Sequence, residues 1–168
     1  DVEVSPGSMG LLFLNPPYDD QEGERKEFVF LRDLIETLAP SGILVYIIPQ
    51  ARLSRVVATL LASNLTQIRV NRFPDPDYEA FGQIVVVGKK SDWPLENPHQ
   101  ARALAEMREK TLPPIDAEWP YYAVPVVPNA TLRVRSIRPE DLVKQAQTSP
   151  LQGCVRDLTL PAALGEVG

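Results

Sequence analysis

Asn15-Pro16-Pro17-Tyr18 puts an amide oxygen, a rigid carbonyl and an aromatic ring within four consecutive residues. Proline fixes φ near about −65° and carries no N–H. Two in a row therefore hold the Pro16 carbonyl in one direction and offer no competing donor. The Asn15 side-chain oxygen is a second acceptor. Two preorganised acceptors suit a planar amine whose lone pair is delocalised, because they stabilise the charge that develops as the nitrogen turns nucleophilic. Tyr18 can stack on a planar substrate, as the rings of pockets for flipped bases do. Asn and Pro are also ordinary turn residues, so the same tetrapeptide can simply end a strand. With proline at about 5% of average usage, the pattern of Asn, Asp or Ser, then Pro-Pro, then an aromatic is expected in roughly one chain in a hundred of this length, or fewer.

The elements that must position the tetrapeptide follow from periodicity. Gly10 to Leu14 is a continuous apolar run, which predicts a strand buried on both faces and ended by Asn15. Asp19 to Glu24 is acidic and polar and reads as a loop. From Arg25 to Leu38, apolar residues at Phe28, Leu31, Leu34, Ile35 and Leu38 have helical spacing, with Pro40 and Gly42 as the stop. Ile43 to Ile48 reads as a second buried strand. Arg52 to Ser63 reads as a second helix, Leu65 to Phe73 as a third strand in alternation, and Gln83 to Lys90 as a fourth. The first two strands have the composition of a parallel sheet between helices. The link "PDPDYEAFG" has no helical pattern, so the last two strands are expected to pair antiparallel.

This arrangement resembles amino-directed class I methyltransferases that use S-adenosylmethionine, a group that includes adenine-specific DNA methylases, some ribosomal RNA methylases and the release-factor glutamine methylases. The resemblance covers Gly10 to Lys90 and rests on Asn15, Pro16, Pro17 and Tyr18. It implies that Asn15 and the Pro16 carbonyl accept from the target amine, that Pro17 sets the geometry, and that Tyr18 stacks. In adenine methylases an aromatic near the helix-free link stacks on the other face of the base, and Tyr78 and Phe81 occupy the matching place. Packing under the loop is the plainer role for these two. "LLFLNPPYD" followed by "GILVYIIPQ" is also similar to uncharacterised bacterial methylase-like proteins. The implied fold class is α/β: the second half of a Rossmann-like methyltransferase sheet, with parallel strands and a terminal antiparallel strand, plus a proline-rich α+β appendage.

The family's cofactor cradle needs a Gly-rich turn and an acidic strand end upstream of the motif. None of the nine glycines forms a G-x-G pair, and 14 residues precede Asn15. The first residue is Asp1 rather than Met. The expectation is a half-domain, whether a cut-out piece, a proteolytic product or the product of a split gene, that holds S-adenosylmethionine poorly and is inactive alone. A half-sheet exposes an unpaired strand edge, which invites a homodimer. The alternatives are a non-catalytic methylase-like module for recognition or assembly, and glutamine methylation on a protein.

Ten of the 17 prolines follow Lys90, which divides the chain into a methyltransferase-like part, residues 1–92, and a proline-rich part, residues 93–168. Asn97-Pro98 is expected to cap a helix running to about Lys110. "WPYYAVPVVP" reads as near polyproline II, "TLRVRSIR" as a strand, and Pro139 to Gln147 as a short helix. Arg133, Arg135 and Arg138 make a small basic patch, either a phosphate contact or a solvated strand face. Trp119, Tyr121 and Tyr122 either stack on bases or cover the join between the two parts, the latter being the plainer role. The acids Asp19, Asp20, Glu22, Glu24 and Glu27 read as a solvated loop and helix start, and they weaken the case for phosphate close to the motif. A net charge of −5 argues against bulk electrostatic grip on nucleic acid, though not against nucleic acid as a partner through a local groove. One histidine, His99, and one cysteine, Cys154, leave no zinc set and no intrachain disulfide. With no signal peptide and no long apolar run, a cytoplasmic protein without a membrane span is expected.

Overall fold

The computed structural model describes residues 2–18, 25–115, 121–128 and 132–134. In chain order the elements are β1 (Val2–Val4), β2 (Met9–Leu14), α1 (Lys26–Leu34), β3 (Leu38–Pro49), α2 (Arg55–Asn64), β4 (Leu65–Arg72), α3 (Asp77–Phe81), β5 (Gln83–Lys90), α4 (Pro98–Glu106) and β6 (Leu132–Val134). The chain groups into two compact units, one of Val4–Leu132 and one of Asp1–Glu3 with Arg133–Gly168. β1 and β6 pair as a two-stranded sheet. The other four strands form one mixed sheet in the order β2-β3-β5-β4.

The pairing is more antiparallel than the sequence suggested. β2 and β3 are parallel, as expected. β5 then inserts between β3 and β4 and runs antiparallel to both. The physical reason is the link after β4. It is too short to carry a helical crossover, so β5 must return in the opposite sense. The link is also not helix-free. Residues Asp77–Phe81 make one helical turn, closed by Gly82 at φ 60, a conformation glycine adopts without a Cβ penalty.

One face of the sheet carries the main core. Leu44, Tyr46 and Ile48 of β3, with Ile84 and Val86 of β5, point to it and meet Leu31 and Ile35 from the first helical stretch and Leu53, Val57 and Leu61 around α2. Tyr46 is fully buried, and its hydroxyl donates to the Glu27 carbonyl at 2.8 Å. Burial pushes the Tyr46 phenol well above its ordinary range, helped by the Glu27 carboxylate. It therefore remains a hydrogen-bond donor. The helix expected to run to Leu38 ends at Leu34 and closes as a 3₁₀ turn, Ile35–Thr37. β3 begins at once, and Pro40-Ser41-Gly42 becomes an irregularity inside the strand, with Ser41 at φ 64.

β4 contains a bulge that its apolar spacing requires. Thr66 pairs Lys89 and Arg69 pairs Val87, so one extra residue lies on β4. Leu65, Ile68 and Val70 are out of step with strict alternation, and the bulge lets all three pack against the main core. It also turns Arg69 to the opposite face. That face holds Ile43, Val85 and Val87, covered by Phe73, Ile115 and Tyr122. Residues just after α4 complete the β4 end: Arg72 N–H donates to the Pro113 carbonyl at 3.0 Å, and Ile115 N–H donates to the Arg72 carbonyl at 2.9 Å.

α4 belongs to the first compact unit, since Ala101 and Leu104 enter the main core. Asn97 caps it, accepting from Gln100 N–H at 3.0 Å, and Pro98 occupies the first turn. Asn97→Ala is expected to cost about 1 kcal/mol, while Asn97→Ser stays close to the parent. Urea midpoints at unchanged m-value measure both. Among the described residues, no helix is long and apolar enough to cross a membrane. The short helix expected over Pro139 to Gln147 lies outside the described residues.

Candidate active site

Asn15, Pro16, Pro17 and Tyr18 leave the carboxyl end of β2, beside the carboxyl end of β3. Crevices outside these strand ends are where open α/β sheets bind ligands. β5 begins at the same place, because it runs antiparallel to β3 and pairs Gln83 with Pro49. α3 immediately precedes β5, so Tyr78 and Phe81 are delivered to the same end of the sheet. The tetrapeptide and the two downstream aromatics, some sixty residues apart in sequence, thus share one rim.

The tetrapeptide has a defined internal geometry. Pro16 is buried and Asn15 is exposed. The Tyr18 hydroxyl lies 2.7 Å from Asn15 Oδ1 and 3.1 Å from the Ile47 carbonyl, and Gln83 Nε2 donates to it at 3.3 Å. A phenol has one proton, so Asn15 and Ile47 share it while Gln83 fills a lone pair. Burial raises the Tyr18 pKa above its ordinary value, the bond from Gln83 opposes that rise, and the Glu27 carboxylate adds to it. The Asn15 oxygen accepts from Tyr18, which engages one of its lone pairs. A carbonyl oxygen has two.

Tyr78 and Phe81 divide their roles. The Tyr78 hydroxyl donates to Gln50 Oε1, and its ring lies under the Arg72 guanidinium at 5.0 Å. Arg72 is itself held by Asp75 through two bonds of 2.8 and 3.0 Å. Tyr78 is thus anchored at both ends. Phe81 is 68% exposed and carries no such ties.

Three polar residues complete the rim and had no motif to mark them. Gln50 is buried; its Nε2 donates to the Met107 and Lys110 carbonyls, both at 2.7 Å, and its N–H donates to the Gly82 carbonyl at 2.8 Å. Gln83 holds Tyr18. Glu27 corrects an expectation: it was placed on a solvated helix start, but it is 1% exposed. Its Oε1 has no hydrogen-bond donor and faces Arg52 Nε at 3.6 Å and Arg25 Nη1 at 3.9 Å. It lies in the first turn of α1, where a carboxylate is favoured, and the helix start folds inward under Tyr46. The legible signal for Gln50 and Gln83 was a single amide abutting each end of an apolar strand. Glu27 offered no signal, because a carboxylate between Arg25-Lys26 and the apolar Phe28-Val29-Phe30 reads as an ordinary solvated helix start.

Of the arginines expected on a basic strand, Arg133 falls in β6 with its side chain outside the described residues, and Arg135 and Arg138 lie outside them altogether.

The mixed sheet, with its helices on one face and this rim at the end of its parallel pair, is compatible with a methyltransferase-like fold. The comparison with protein families agrees. The model of an uncharacterised methyltransferase family (DUF6094) matches residues 2–127, three quarters of the chain. The chain belongs to that family. No curated protein and no solved structure matches it.

Proposed function

We propose that this chain carries the amine-binding side of an S-adenosylmethionine-dependent methyltransferase acting on an exocyclic amine, with adenine in nucleic acid as the target. The observation that carries the reading is the position of Asn15 Oδ1, set by a rigid Pro-Pro turn at the end of the β2–β3 parallel pair and already accepting a hydrogen bond. The amine takes the second lone pair of Asn15, or displaces Tyr18 from the first, and gives its other N–H to the Pro16 carbonyl. Both acceptors strengthen as the nitrogen becomes electron-poor during transfer, which is where such groups accelerate a reaction. Phe81, exposed on the same rim, supplies a ring face for a planar substrate.

The methyl donor does not fit the described residues. No G-x-G turn occurs in the sequence. No strand of the four-stranded sheet precedes β2. The described residues therefore offer no cradle for its methionine and ribose parts. The expected result of titrating S-adenosylmethionine into the 168-residue chain by calorimetry is a Kd weaker than about 1 mM. Micromolar binding would overturn the half-site reading.

The activity itself is tested with labelled methyl donor on DNA, RNA and protein, using the full-length protein. Label on adenine supports the reading, and label on glutamine moves the substrate to protein. No transfer, with intact binding of a nucleic acid, favours a recognition module.

A further inference from the structure

We propose that the sheet face opposite the main core carries a second binding site, an anchoring cleft for single-stranded nucleic acid formed by Arg69, Lys89, Tyr121 and Tyr122. The cleft has a volume of about 640 Å³ and is floored by Ile43 and Gln67. Among the described residues, its lining contains two cations and no carboxylate. In a chain of net charge −5 this is a local reversal of sign. Neither Arg69 nor Lys89 forms an ion pair among the described residues. Cations without acid partners among the described residues leave their charge available to a phosphate.

The bulge in β4 builds this face. Without the extra residue, strict alternation would turn Arg69 toward the apolar core and Ile68 toward solvent. With it, Arg69 stands on the same face as Lys89. Gln67, inside the bulge at φ 52, turns its carbonyl outward to accept from the Tyr122 hydroxyl at 2.9 Å. Tyr122 is thereby fixed against the sheet, with Arg69 beside its hydroxyl. Burial raises the Tyr122 phenol, and the Arg69 guanidinium pulls it back. The next ring, Tyr121, is fully exposed. A large aromatic held out in water beside paired cations is the combination that single strands use: phosphates on the cations and bases on the ring. A duplex has no unstacked base to offer Tyr121, and a run of carboxylate side chains has no ring.

The cleft is distinct from the Asn15 rim. Ile43 and Lys89 pair at one end of the β3–β5 ladder, and Pro49 and Gln83 pair at the other. Six residues of strand separate them, about 20 Å at roughly 3.3 Å per residue. A strand anchored at this cleft is thus held away from the reacting base. The inference leans on the methyl-transfer reading only for the choice of nucleic acid, and its test needs no methyl donor, so the two fail separately.

The experiment is fluorescence anisotropy of a labelled 12-nucleotide oligo-dT with the 168-residue chain at several salt concentrations. Binding tighter than about 100 µM at 0.1 M salt is expected. Arg69→Gln with Lys89→Gln should weaken it roughly tenfold and flatten the salt slope by about 1.4. Tyr121→Ala should weaken it about tenfold with the slope unchanged, and Tyr121→Phe should bind as the parent does. All these side chains reach solvent, so the melting temperature should stay constant and serves as the folding control. Parent binding weaker than about 100 µM at 0.1 M salt overturns the proposal. So does competition by an oligo-glutamate of equal charge as strong as that by unlabelled oligo-dT. A loss on charge removal with Tyr121→Ala unaffected also overturns it, since that describes a bare anion site.

Discussion

Asn15→Ala is expected to lower methyl transfer by roughly 10²–10³-fold, with substrate affinity changed far less. The argument rests on when the hydrogen bond matters. An exocyclic amine in its ground state is well solvated by any acceptor, so binding loses little when one acceptor goes. During transfer the nitrogen loses electron density, its N–H groups become stronger donors, and a fixed acceptor stabilises that change without reorganising. The loss therefore falls on kcat rather than KM. Asn15→Asp is informative beside it, since the carboxylate keeps an acceptor where Asn15 Oδ1 now meets the Tyr18 hydroxyl at 2.7 Å. Part of the activity should survive. Single-turnover rates of the full-length protein decide the matter, and equal rates for the parent and Asn15→Ala would remove Asn15 from the chemistry. Tyr18→Phe separates the second contribution, because it frees the Asn15 oxygen while keeping the ring.

Gln50→Ala is expected to cost about 2–4 kcal/mol of stability and to loosen the rim at the same time. One buried amide holds three segments: the end of β3, the α3 turn through Tyr78, and the stretch from Met107 to Lys110. Removing it leaves the Lys110 carbonyl and the Tyr78 hydroxyl short of a partner, while the Met107 carbonyl keeps the Lys110 N–H at 3.3 Å. Each unsatisfied buried group costs on the order of 1–3 kcal/mol, softened where water enters. The Gly82 carbonyl still accepts from the backbone of residue 50, so the α3 turn stays attached and only its aromatic anchor is lost. Gln50→Glu should be no better at neutral pH, because a carboxylate faces two carbonyls that need donors. Those carbonyls disfavour its charged form and raise its folded-state pKa above about 4.3. Its penalty is then full at neutral pH and shrinks as pH falls through that raised value. Urea midpoints at pH 7 and pH 5 test this. Equal stability of Gln50→Glu and the parent at pH 7 would refute the anchoring role.

Much of the architecture was legible because burial writes itself into apolar runs. β5 begins and ends where its run does, at Gln83 and Lys90. α2 was found through its apolar stripe, and α4 through Asn97-Pro98, which marked its cap. The Asn15 to Tyr18 rim was readable for the same local reason: prolines next to an apolar run leave the backbone little choice.

What the chain alone decided is therefore local: where most strands and helices lie, and that a rigid turn with two acceptors ends β2. It did not decide which residues turn inward, since the run expected to be buried on both faces leaves Leu11 48% and Phe13 60% exposed on an edge strand. What only the tertiary structure decided is which distant groups meet. The insertion of β5 between β3 and β4 brings Gln83 to Tyr18 and sets α3 on the rim, and neighbour order in a sheet is settled by long-range pairing that no local pattern encodes. The β4 bulge sends Arg69 to the cleft face, although its sequence reads as alternation until Val87 and Lys89 impose their register. Glu27 is buried because the start of α1 folds inward over Tyr46, a contact made across 19 residues that leaves no mark on either segment alone.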